Sequence, residues 1–105
     1  MDKYSADHYA LFLWNHGSGW RSTKSSNILN NKVDKAIFLD ETSNYIMSTK
    51  SLASALLGKK FDVLCFDACL EGSIEVAYEL KNNAKYMVAS AELVPSTGLN
   101  YLDLL

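Results

Sequence analysis

Several things are scarce in this sequence. Proline occurs once, at Pro95, and glycine five times in 105 residues, which excludes collagen-like repeats and proline-rich linkers. Cysteine occurs twice, at Cys65 and Cys69, too few and too local for a disulfide framework. Charge of one sign is also lacking. Ten Lys and Arg against twelve Asp and Glu leave a net charge of −2, with no electrostatic footprint for nucleic acid or an anionic membrane. No apolar run approaches the roughly 20 residues of a membrane-spanning helix. The stretch Met1–Asp7 has no apolar core, so it does not read as a signal peptide. What remains is globular in composition, with 49% hydrophobic and 21% charged residues. The length suits one domain, burying roughly two-thirds of its extended-chain surface. The last residues, Asn100–Leu105, lie inside an apolar pattern with no helix stop signal, so residues 1–105 read as one partial domain.

Tyr9–Trp14 is a continuous apolar run and reads as a strand buried on both faces. It breaks at Asn15-His16-Gly17-Ser18-Gly19, where two glycines permit unusual backbone angles. From Trp20 to Asp34 the chain is mostly polar and reads as a long exposed loop, a type that is often functional. Ala36–Leu39 predicts a short strand, with Tyr45–Met47 as its returning partner across a turn at 40–44. Ser48 or Thr49 can N-cap the next segment, where Leu52, Ala53, Leu56 and Leu57 recur at helical spacing before a C′ glycine at Gly58. Phe61–Asp67 is a second apolar strand. Helix Gly72–Asn82 follows, with Ile74, Ala77, Tyr78 and Leu80 predicted inward and Glu75, Glu79 and Lys81 outward. Tyr86–Ser90 is a third strand, and the final residues open another helix. Alternating strands and helices imply βαβ units and a parallel sheet with right-handed crossovers.

In open parallel sheets, sites form beyond the carboxyl ends of the strands. Two reactive side chains fall there. His16 lies two residues after the strand ending at Trp14, and Cys69 two residues after the strand ending at Asp67. If these strands are neighbours, both side chains leave the same rim. Cys69 also precedes the helix at Gly72–Asn82, whose positive end favours a thiolate. A histidine within reach would activate the thiol or protonate a leaving amine. Gly17 and its neighbours would offer backbone N–H groups as an oxyanion hole. The plainer readings stand beside these. A cysteine in an apolar stretch is usually core, which fits Cys65, and a histidine in a glycine-rich loop is more often part of a turn. Asp67 could simply cap its turn. Two cysteines do not make a zinc site, and His8 lies in the polar N-terminal stretch, so no metal site is read.

The blocks Leu13–Trp20 and Phe66–Leu80, with Ser90–Leu99 after the next strand, closely resemble the clostripain family of cysteine peptidases. The resemblance runs from about Asp7 to the C-terminus. It implies an α/β, caspase-like fold, a mostly parallel sheet flanked by helices, here incomplete at both ends. It implies that His16 is the general acid/base of a dyad and Cys69 the nucleophile. The implied activity is endopeptidase cleavage after Arg or Lys, so the partner is a peptide or protein with a basic residue before the cut. An acid selects that side chain, because a desolvated carboxylate and guanidinium pair strongly. The resemblance places Asp67 in that role; Glu92, beyond the next strand, is a second candidate, with a solvated loop acid as its plainer reading. It also implies self-cleavage between the histidine and the cysteine, where Arg21, Lys24, Lys32 and Lys35 are basic sites. No cofactor is needed for the chemistry. Calcium dependence occurs in the family, but no aspartate-rich calcium loop is visible. Family members are often secreted by bacteria.

The sequence departs from the family in lacking an earlier strand and helix and a long C-terminal region. The strand at Tyr9–Trp14 would then present an open apolar edge, which invites self-association. Two other functions compete with the peptidase. One is a catalytically inactive α/β interaction module that keeps the motif without the cleft. The other is a thiol redox domain using Cys65 and Cys69.

Overall fold

The computed structural model describes residues 3–19, 36–40, 42–43 and 45–104. The elements run β1 (Ala10–Trp14), β2 (Ala36–Asp40), β3 (Tyr45–Ser48), α1 (Thr49–Ala55), β4 (Phe61–Asp67), α2 (Ile74–Leu80), β5 (Ala84–Val88) and α3 (Tyr101–Leu104). β1, β4 and β5 form a parallel sheet in the order β1-β4-β5, as the βαβ pattern requires. The register pairs Trp14 with Asp67 at one end, and Cys65 with Val88 on the other side. β2 and β3 form a separate antiparallel hairpin. The Asp40 carboxylate holds its turn by accepting from the Thr42 and Ser43 N–H groups at 2.9 and 3.3 Å and from Ser43 Oγ at 2.6 Å. Those bonds, the Ser43 hydroxyl first, lower the Asp40 pKa.

Alternation along the central strand divides the sheet into two faces. Leu64 and Phe66 point into a core with Ile37, Leu52, Val76 and Leu80, and Leu11, Leu13 and Met87 pack against it. Cys65 and Asp67 point to the opposite face. There Phe12 meets the ring of Tyr101 edge-on, centroids 5.9 Å apart. Ser48 caps α1, its Oγ accepting from Ser51 N–H at 3.0 Å. The hairpin is tied to the end of β1 by one side chain. Asn15 Nδ2 donates to the Leu39 carbonyl and its Oδ1 accepts from Leu39 N–H, both at 3.3 Å, the pattern of a strand pair made by an amide.

Three expectations need correction. β1 is only half-buried, and Trp14 is 70% exposed, because among the described residues it is an edge strand with thin cover on its second face. On α2, Ile74 and Tyr78 point outward, at 78% and 65% exposure, while Val76 and Leu80 carry the buried stripe. The two i, i+4 pairs lie about 200° apart around the helix, and the sheet takes one of them. β5 begins and ends two residues earlier than expected. Phe61 N–H reaches the Asn83 carbonyl at 2.8 Å, so pairing starts directly after the α2 turn. That early ending frees the 89–98 segment to fold across the rim of the sheet.

Candidate active site

β1 and β4 are adjacent and parallel, so the chain after each leaves from the same rim. His16 is exposed there. Its backbone N–H donates to Asn15 Oδ1 at 2.6 Å, so the side chain that ties down the hairpin also sets the start of the histidine loop. Cys69 is partly buried on the neighbouring turn. His16 and Cys69 both line one cavity of about 890 Å³, walled by Trp14, Phe38, Tyr45 and Met47 on one side and by 94–96 on the other.

The turn that carries Cys69 is tight. Leu70, one residue after Cys69, has φ +62°, a conformation that costs a branched side chain energy and occurs where neighbours over-determine it. Here they do. Leu70 N–H donates to the Glu92 carbonyl at 3.1 Å and Gly72 N–H to the Ser90 carbonyl at 2.8 Å. Cys69 Sγ accepts from Val94 N–H at 3.3 Å and lies 3.8 Å from the Val94 carbonyl. The expected α2 dipole is not what meets the thiol. α2 starts only at Ile74, and Ser73 Oγ takes its Val76 N–H at 3.4 Å.

Asp67 closes β4, a buried residue at 3% exposure that is among those lining the cavity. Oδ2 accepts from Leu99 N–H at 3.0 Å and from the Tyr101 hydroxyl at 2.9 Å. Oδ1 is buried with no hydrogen-bond partner among the described residues. Burial first, and the bond to Asp67 next, raise the Tyr101 phenol pKa. Cys65 lies behind, buried, and burial followed by the Asp67 charge raises its thiol pKa. Glu92 is exposed and is not among the residues lining the cavity; its backbone N–H donates to Ser90 Oγ at 3.1 Å. Gly17 lies directly against the Cys69 carbonyl. A Cβ there would overlap that oxygen and sit 2.6 Å from Glu71 Oε1.

Sequence reasoning missed Glu71 and Asn15. Glu71 is fully buried, and its Oε1 accepts from Gly19 N–H at 3.1 Å, with Ser18 N–H as a second donor. Oε2 is buried without a partner among the described residues. Burial raises the Glu71 pKa to about 6 against the pull of those two N–H groups. The only local signal was an acid two residues after the candidate nucleophile. The basic residues Arg21, Lys24, Lys32 and Lys35 lie outside the described residues.

Fold and rim together define a caspase-like α/β domain that brings a histidine and a thiol to one cavity. The family model described as the clostripain family matches residues 1–105, and the chain belongs to that family. It is 31% identical over 114 aligned positions to clostripain from Hathewaya histolytica, covering 93% of this chain and 20% of that protein. Among solved structures it resembles a secreted C11 cysteine protease from Bacteroides thetaiotaomicron in complex with an irreversible peptide inhibitor. There the TM-score is 0.73 and the identity 34%, over 95% of this chain and 27% of that one. It also resembles an inactive zymogen C11 protease from Parabacteroides distasonis, with a TM-score of 0.63 and 33% identity, over 92% of this chain and 24% of that one. The chain thus spans between a fifth and just over a quarter of the length of these relatives.

Proposed function

We propose that this chain carries the catalytic core of a cysteine endopeptidase that cleaves after Arg or Lys. The observation that supports it most is a single cavity shared by His16, Cys69 and a buried carboxylate, Asp67, one oxygen of which has no partner among the described residues. Cys69 Sγ, its proton passed to His16, attacks the scissile carbonyl carbon to form a C–S bond. The carbonyl π electrons move to oxygen, where the backbone N–H groups of Gly17 and Cys69 stabilise the negative charge. Collapse breaks the C–N bond, and His16 returns the proton to the departing amine. Water, deprotonated by His16, then hydrolyses the thioester and restores the thiol. Asp67 receives the substrate's basic side chain, and Glu92 stands nearer solvent as a second acid.

Among the described residues no three His, Cys, Asp or Glu side chains come together, and the steps above use only the chain's own groups and water. The zymogen neighbour supports self-cleavage between His16 and Cys69, at the basic residues Arg21, Lys24, Lys32 and Lys35, and the secreted neighbour supports action outside the cell. The unpaired edge of β1 among the described residues supports self-association through strand pairing.

The test is covalent labelling with a peptide chloromethyl ketone ending in Arg. Wild type should form an adduct at Cys69, Cys69→Ala none, and His16→Ala should slow labelling by at least 100-fold. Asp67→Asn should label Arg and norleucine probes at similar rates. A wild type that stays unlabelled while folded by circular dichroism supports the inactive module instead. Intact mass of wild type against Cys69→Ala reads the self-cleavage.

A further inference from the structure

The site contains a buried acid for which the proposed chemistry has no use. Glu71 is 0% exposed, and acids are rarely that buried without a cation. Among the described residues its partners are instead two backbone N–H groups, of Ser18 and Gly19, across the gap between the histidine loop and the nucleophile turn. Its own base is rigid, because the N–H groups of Leu70 and Gly72, on either side of it, are both bound to the 90–92 backbone. The histidine loop is anchored at its start by Asn15 Oδ1 on His16 N–H and at its far end by Glu71 Oε1. Between these anchors Gly17 is pressed against the Cys69 carbonyl, with no room for a methyl group.

We propose that Glu71 is a positioning residue that clamps the 16–19 loop to the nucleophile turn and thereby sets the separation of the His16 and Cys69 side chains. This rests on the peptidase reading of those two residues. A clamp of this kind acts through geometry: groups meant to react must be held within a fraction of an ångström, and supporting hydrogen bonds do the holding. The carboxylate reaches the loop through two methylenes, so its length matters as well as its acceptor atoms. Glutamine keeps both the reach and one carbonyl acceptor. Aspartate keeps the charge and loses the reach.

The experiment compares wild type with Glu71→Gln, Glu71→Asp and Glu71→Ala in two measurements. The first is the saturation kinetics of labelling by the arginyl chloromethyl ketone. The maximal inactivation rate should stay within about threefold for Glu71→Gln and fall about 100-fold for Glu71→Asp and Glu71→Ala. Half-saturation should move little, since the basic side chain binds at Asp67. The second is amide hydrogen exchange at Ser18 and Gly19, expected to accelerate at least tenfold in the Asp and Ala variants and to stay near wild type in the Gln variant. Should Glu71→Ala fail to fold, Glu71→Asp decides. A folded Asp variant with wild-type inactivation rate, or with unchanged Gly19 exchange, overturns the proposal. If wild type itself is not labelled, the peptidase reading fails on its own. Exchange then still decides the clamp: acceleration in the Asp variant sustains it, and unchanged protection removes it.

Discussion

Gly17→Ala is the sharpest probe of how closely the two loops approach. The added methyl would overlap the Cys69 carbonyl oxygen and sit 2.6 Å from Glu71 Oε1, where ordinary contact begins at 3.4 Å. Clearing Glu71 alone takes 3.4 − 2.6, or about 0.8 Å, and the Cys69 carbonyl belongs to a backbone pinned on its far side by 90–92. Overpacking against groups that can yield costs about 1–3 kcal/mol, and a backbone obstacle places this change at the upper end, near 3 kcal/mol. That cost should appear as a drop in Tm of about 12–20 °C for a domain of this size. The loops that separate carry His16 and Cys69, and a displacement of about 1 Å between reacting groups is worth roughly 100-fold in rate. Labelling of Cys69 by the arginyl ketone should therefore fall about 100-fold at a temperature where the variant is still folded. The assay is a thermal melt paired with labelling followed by intact mass. A variant that melts with wild type and labels at its rate would falsify the close approach of these loops, and with it the reason for glycine at this position.

Three further outcomes are expected. Glu71, with its folded pKa raised from 4.5 to about 6, binds more protons folded than unfolded between those values, so its contribution favours the fold at acid pH and is lost as pH rises through 6. The difference is about 2 kcal/mol. Urea unfolding of wild type and Glu71→Gln at pH 4 and pH 7 should differ in pH dependence by that amount, with wild type losing more stability on going to pH 7. Asp62, lowered to about 2 chiefly by its bond to Lys85, acts in the opposite sense in both proteins and cancels in the comparison. Iodoacetamide on the native protein should modify Cys69 and spare Cys65, a residue only 2% exposed whose thiol pKa is raised by burial; peptide mass mapping reads this, and equal modification would mean that the second sheet face opens. Leu64→Ala, at a fully buried position of the central strand, should cost about 2–5 kcal/mol in chemical denaturation. A loss under 1 kcal/mol would show that the core lies elsewhere.

Much of the architecture was legible in local chemistry. The apolar run at Phe61–Asp67 became β4 at the expected bounds, and Ser48 caps α1 because its short side chain brings an oxygen to a free first-turn N–H. Where the reading failed, a face was decided from outside the segment. Ile74 and Tyr78 have the same spacing as Val76 and Leu80, and only the position of the sheet chooses between the pairs. β1 has the composition of a buried strand, yet its place at an edge leaves Trp14 on the cavity rim.

The sequence by itself determined the order of strands and helices, the two loops that carry His16 and Cys69, and the motif blocks that resemble the clostripain family. These depend on periodicity, caps and short-range identity, all properties of neighbours along the chain. Only the tertiary structure decided that β1 lies directly beside β4, that Asp67 is buried on the same cavity, and that Glu71 and Asn15 hold the loops between them. Glu71 meets Gly19 across 52 positions of chain, and Asn15 meets Leu39 across 24. Contacts at such separations depend on where parallel strands pack, and no local pattern of side chains records that.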